Sequence, residues 1–160
     1  MNCIKAGILT FHRAINYGAY LQSCALCNRL NQEENIDCEI IDFRMKKEFE
    51  FYNYQQNRST LKKILLPQKT KFLSNIQNTF DSAFHDPIMR LSSESLVSDS
   101  QEEFIDFVKG KYDVIIAGSD EIWKIDNIRG FPNPFWLKGD PGAIKVSYAA
   151  KCLPLFILDR

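Results

Sequence analysis

An α/β fold, a parallel sheet crossed by helices, follows from three observations in the sequence. Apolar runs rich in β-branched residues recur at residues 4–11, 36–43 and 112–117. Such runs suit strands covered on both faces. A helical spacing of Leu21, Cys24, Ala25, Leu26 and Leu30 separates the first two runs. The third run, Tyr112-Asp113-Val114-Ile115-Ile116-Ala117, passes directly into Gly118-Ser119-Asp120-Glu121-Ile122-Trp123. An apolar strand that ends in Gly and then a capping residue marks the place where ligands sit in an open α/β sheet.

Each element has its own warrant. Residues 4–11 form the first strand and 12–17 a loop. Residues 18–31 form a helix with one apolar face, closed by Asn31-Gln32-Glu33-Glu34-Asn35. The second strand is 36–43, and a strand–helix–strand unit of this kind is a crossover between parallel strands. Residues 45–100 differ in composition and read as a long helical insertion in the second crossover. Helical pieces are expected at 61–66 and 69–84, divided by Pro67. Phe72, Ile76, Phe80 and Phe84 fall at four-residue steps, which is one helix face turned to a core or, with Lys63, Lys69 and Lys71 nearby, to a membrane surface or a partner. The serine-rich stretch 92–100 reads as a loop. Ser100 caps a helix over 101–108, with Glu103 at the capping-box position. A strand over 112–117, a loop rich in Gly, Pro and aromatic residues, and a strand over 143–149 complete a Rossmann-like sheet of three or four strands.

Composition narrows the functions. With 160 residues the chain can bury a core as one domain. Twenty basic and twenty acidic residues cancel, so there is no non-specific pull toward nucleic acid. No run approaches the roughly 20 apolar residues that cross a bilayer, and residues 1–7 lack the pattern of a secretion signal. The expected address is cytoplasmic. The five cysteines include Cys24-x-x-Cys27, but this pair sits within a helix and lacks a second ligand pair, so core or surface thiols are favoured over a metal or redox site. Neither a metal nor a cofactor is called for.

Four segments carry a resemblance. They are Gly7-Ile8-Leu9-Thr10-Phe11-His12 with Asn16-Tyr17-Gly18-Ala19-Tyr20-Leu21-Gln22, Cys38-Glu39-Ile40-Ile41-Asp42-Phe43-Arg44, residues 112–123, and Lys145-Val146-Ser147-Tyr148-Ala149-Ala150. In order and spacing, across residues 4–150, the chain resembles the N-terminal half of the polysaccharide pyruvyl transferase family. The resemblance implies transfer of a pyruvyl group from phosphoenolpyruvate to hydroxyls of a cell-surface glycan, making a ketal. It also implies one lobe of a two-lobed, GT-B-like transferase, residues 1–150 being the N-terminal lobe. Residues 151–160 then form a divergent tail, because Lys151-Cys152-Leu153 stands where the family continues with Ser-Phe-Gly. The donor-binding lobe is expected to be absent from this chain, which would be inactive alone or need a partner chain or a homo-oligomer. Glu121 stands where the family most often has Gln.

The chemistry implied needs a general acid, a general base and a cationic phosphate clamp. Asp120 could take a proton from an acceptor hydroxyl, or cap the following turn; Ser119 shares that choice. His12 lies at a strand end, either as a site residue or as a loop histidine bonded to backbone. Asn16, Tyr17 and Gly18 form the first strand-to-helix loop, a place for acceptor or phosphate contact, while Gly118 lets backbone approach a ligand. Trp123, like Phe135 and Trp136, either stacks on a sugar face or closes the core. The alternative to an enzyme lobe is a non-enzymatic glycan- or nucleotide-binding module. Against a nucleotide stands the lone Gly18, since a dinucleotide fingerprint needs three glycines.

Overall fold

A computed structural model describes residues 3–50, 67–119, 122–123 and 130–150. Five strands, β1 (Ile4–Leu9), β2 (Ile36–Arg44), β3 (Leu91–Val97), β4 (Val114–Gly118) and β5 (Ile144–Tyr148), make one sheet in the order β3-β2-β1-β4-β5. Every adjacent pair is parallel. The fold is α/β and Rossmann-like. The chain runs outward from β1 through β2 to β3, then returns across the sheet for β4 and β5. The order therefore reverses between β1 and β4, where loops leaving in opposite directions open a crevice beyond the carboxyl ends.

Local chemistry sets the helices that flank the sheet. Asn16, with extended backbone (φ −147°, ψ 113°), caps α1 (Tyr17–Leu30); its Oδ1 accepts from the backbone N–H groups of Gly18 at 2.8 Å and Ala19 at 3.2 Å. At the other end Asn31 closes the helix by donating to Cys27 O at 2.8 Å. The same amide pairs with the backbone of Cys38, donating to its oxygen at 2.8 Å and accepting from its nitrogen at 2.9 Å. One side chain thus ends α1 and fixes it to β2. The helix α2 (Pro67–Phe84) buries Phe80 and Phe84 and half-buries Ile76, so this part of the aromatic stripe faces the core. The side chain of Phe72 and the helical piece anticipated at 61–66 lie outside the described residues.

Ser100 caps α3 (Gln101–Val108), accepting from Glu103 N at 3.2 Å. The reciprocal arm of the capping box is relayed. Ser98 Oγ donates to the Glu103 carboxylate and accepts from Ser100 N, so a buried hydroxyl stands between the partners.

Two cores cover the sheet. On one face Ala6, Ile8, Cys38 and Ile40 pack against α1, α2 and Met89. Cys24 and Cys27 belong to this layer; Cys24 Sγ meets Met89 Sδ at 3.3 Å and Cys27 Sγ donates to Cys38 O at 3.3 Å. On the other face Leu9, Ile41, Phe43, Ile115 and Ala117 pack against Phe104 and Val108 of α3 and against Phe135. Phe135 lies in a single 3₁₀ turn, Pro134–Trp136, capped by Asn133.

The edges depart from expectation. The stretch read as a serine-rich loop contains β3. Its pairing with β2 shifts between Ile40 and Asp42, and there Ser92 Oγ accepts from Asp42 N at 2.9 Å while donating to Glu94 O at 2.7 Å. A hydroxyl replaces the backbone partner at the irregularity, which is why serine tolerates this edge. At the opposite edge β5 buries none of its residues, and Ile144 is 67% and Tyr148 50% exposed. No described helix is long and apolar enough to cross a membrane.

Phe104 is fully buried, its ring 4.7 Å from that of Phe43. Phe104→Ala should lower unfolding free energy by about 3–5 kcal/mol in denaturant titration. A loss under about 1 kcal/mol would mean that α3 does not close this core.

Candidate functional site

The sheet brings the carboxyl ends of β1 and β4 side by side, with Leu9 and Ala117 in register. Gly118 and Ser119 therefore leave the same rim as Thr10, Phe11 and His12. Gly118 is the last residue of β4 and pairs with Tyr148; a Cβ there would come within 3.3 Å of Tyr148 O. That close approach favours glycine over any residue with a Cβ. Ser119 is buried, and Ile122 N donates to its carbonyl at 3.4 Å. Asp120 lies outside the described residues.

His12 sits at the rim but is 0% exposed. Its Nδ1 is 3.2 Å from Thr10 O, and its Nε2 is 3.0 Å from Asp42 Oδ1. Both neighbours are hydrogen-bond acceptors, and both ring nitrogens are therefore engaged. Arg13 grips the same carboxylate with Nε at 2.8 Å from Oδ1 and Nη2 at 2.5 Å from Oδ2. Burial alone would raise the pKa of Asp42, but the hydrogen bonds from His12 and Arg13 and their positive charges outweigh it and hold the carboxyl well below its usual range. Asp42 is thus an ionised group inside an apolar strand, neutralised from the β1–α1 loop.

The other anticipated residues separate into two groups. Asn16 and Gly18 belong to the cap of α1, so Asn16 Oδ1 is committed to backbone. Tyr17 is 61% exposed, with its ring 4.7 Å from that of Phe80. Trp123 stands apart from that loop. It stacks on Trp136 at 5.4 Å, donates from Nε1 to Phe135 O at 3.1 Å and packs against the α3-side core. Trp136 in turn meets Phe131, more than half exposed, at 4.9 Å.

Three residues of the rim were given no role from sequence: Arg13, Asp42 and Arg44. The signal was present in Ile40-Ile41-Asp42-Phe43, because an acid within an apolar run is buried only with a partner. Among the described residues no cluster of three His, Cys, Asp or Glu side chains is placed to hold a metal ion.

A family model for polysaccharide pyruvyl transferase matches residues 16–151. The chain belongs to the polysaccharide pyruvyl transferase family. A comparison with curated proteins finds no match. The segment shared with other pyruvyl transferase family members includes the Asn16–Gly18 cap, Asp42, Arg44 and the β4 terminus, and it begins just after His12 and Arg13. The partners of Asp42 therefore come from outside the matched span.

Removing the Asp42 charge leaves His12 and Arg13 uncompensated, so Asp42→Asn should cost about 3–5 kcal/mol in denaturant titration. Because the folded pKa is depressed, the stabilisation is complete above the unfolded carboxylate value of about 3.9 and is lost as pH falls below it. Stability measured from pH 7 downward should fall more steeply below about pH 4 in the wild type than in Asp42→Asn. Parallel curves would contradict the pairing.

Proposed function

We propose that this chain forms the acceptor-side lobe of an enzyme that transfers a pyruvyl group from phosphoenolpyruvate to two hydroxyls of a sugar in a cell-surface polysaccharide. The observation that carries the reading is the family match over residues 16–151. A parallel sheet whose order reverses between β1 and β4 supports it, since that topology gathers loops from two strand ends around one crevice. In this reading residues 1–150 face a second, donor-binding lobe of GT-B-like arrangement across the carboxyl rim, and the work is done in the cytoplasm.

The reaction balances simply. The methylene carbon of phosphoenolpyruvate gains a proton and becomes a methyl group. Two acceptor hydroxyls bond to the adjacent carbon, and inorganic phosphate leaves with the enol oxygen. The chemistry requires an acid for the methylene carbon, a base for the hydroxyls and cations for the departing phosphate. The proposal assigns proton transfer to Asp120 and His12. His12 has both nitrogens engaged, so it enters the reaction only by giving up one of those two hydrogen bonds. Asn16, Tyr17, Gly18, Gly118 and Ser119 line the crevice toward the acceptor, and Trp123 offers its indole to a sugar face.

Acceptor-dependent phosphate release from phosphoenolpyruvate tests the reading, with the chain alone and with the second lobe of a family member supplied in trans. Release only with the added lobe supports it. Release by the chain alone would overturn the two-lobe part, and no release in either case would overturn pyruvyl transfer. In the active combination, Asp120→Asn should lower kcat by about 10²–10⁴-fold with thermal stability unchanged. An unaltered kcat would reduce Asp120 to a helix cap.

A further inference from the structure

Among the described residues, the β2 end of the carboxyl rim gathers Arg13, Arg44 and His12 around one acid, Asp42. Strand β2 places Asp42 and Arg44 on the same face, two residues apart. Both oxygens of Asp42 are taken, by His12 and by two nitrogens of Arg13. Arg44, half-buried at the end of β2, has no acidic partner and no side-chain hydrogen bond among the described residues. Its guanidinium lies 4.8 Å from the ring centroid of Phe49, in the helical turn that follows β2. Arg13 is 5.7 Å from the ring centroid of Phe84 and keeps 19% of its side chain exposed. Burial, then the positive charge of Arg13, depresses the pKa of Arg44, with Asp42 acting in the opposite sense. Arg13, bonded to Asp42, and Arg44, two residues along the same strand face, thus each stand beside an aromatic ring, next to one carboxylate that is already occupied.

A planar guanidinium offers five N–H donors, of which Arg13 spends two on Asp42 and Arg44 spends none on a side chain. Paired donors of this kind match the oxygens of a phosphate or a carboxylate. Contact with the rings reduces the rotamer freedom that binding would otherwise remove. We propose that Arg13 and Arg44 form an oxyanion subsite that takes a phosphate or carboxylate group carried by the sugar acceptor. The subsite rests on the function proposed above for its choice of a sugar acceptor. It adds that the acceptor is anionic, and that Asp42, Phe49 and Phe84 are positioning residues for its charge.

Ligand-observed NMR with the full chain tests this, using glucose 1-phosphate, glucuronate, glucose and phosphoenolpyruvate as separate probes. At least one of the two charged sugars should bind and glucose should not. Binding of glucose 1-phosphate alone assigns a phosphate, and binding of glucuronate alone a carboxylate. Arg44→Met should weaken the charged sugar by about tenfold or more, Arg44→Lys by less, and Phe49→Leu by an intermediate amount, with circular dichroism confirming the fold of each variant. Equal binding of glucose, absence of binding by both charged sugars, or indifference to Arg44→Met and Arg44→Lys would overturn the subsite. Arg44-dependent binding of phosphoenolpyruvate without either sugar would assign the pair to the donor and overturn the acceptor. Phosphate release from phosphoenolpyruvate is measured independently, so failure of pyruvyl transfer remains distinguishable from failure of the subsite.

Discussion

A carboxylate buried inside an apolar strand organises the rim of this molecule. Asp42 belongs to a run that packs on both faces, and an ion there is tolerated only if cations reach it. The β1–α1 loop supplies them. By turning His12 inward and folding Arg13 over the same carboxyl, it closes against β2, and the chain emerges at Asn16 ready to cap α1. The ion network therefore anchors the loop that leads into the first helix.

The sheet gives that network its meaning. Parallel strands send all their carboxyl ends to one edge, and the reversal of order between β1 and β4 separates the loops there. On the α1 side of the rim the side chains are polar or charged: His12, Arg13, Asp42 and Arg44. On the α3 side they are aromatic, with Phe11 4.7 Å from Phe135 and Trp123 stacked on Trp136.

Much of this was legible in the sequence where the cause is local. The apolar runs of β1, β2 and β4 show burial on both faces, and caps such as Asn16 and Ser100 act over two or three residues. The strand β5 was legible from Ile144, Val146 and Tyr148 alternating with Lys145 and Ser147, although it stays exposed. What escaped depends on distance along the chain. Strand β3 joins β2 through a register shift at which Ser92 takes the Asp42 backbone N–H, and no local pattern encodes that. The partners of Asp42 lie 29 and 30 residues away, so the sequence showed an acid in an apolar run without showing what neutralises it. His12 was legible as a strand-end residue; its burial and double engagement were not. Trp123 left two readings open, and packing against Trp136 and the Phe135 carbonyl accounts for its ring and its N–H without a ligand.

The most direct test of the account is the titration of the Asp42 side-chain carboxyl carbon by NMR, residue by residue, from neutral pH downward. Asp42 should remain ionised while exposed aspartates titrate near their ordinary value of about 3.9. Titration of Asp42 at or above that value would show that His12 and Arg13 do not hold its charge, and the account of the rim would fail with it.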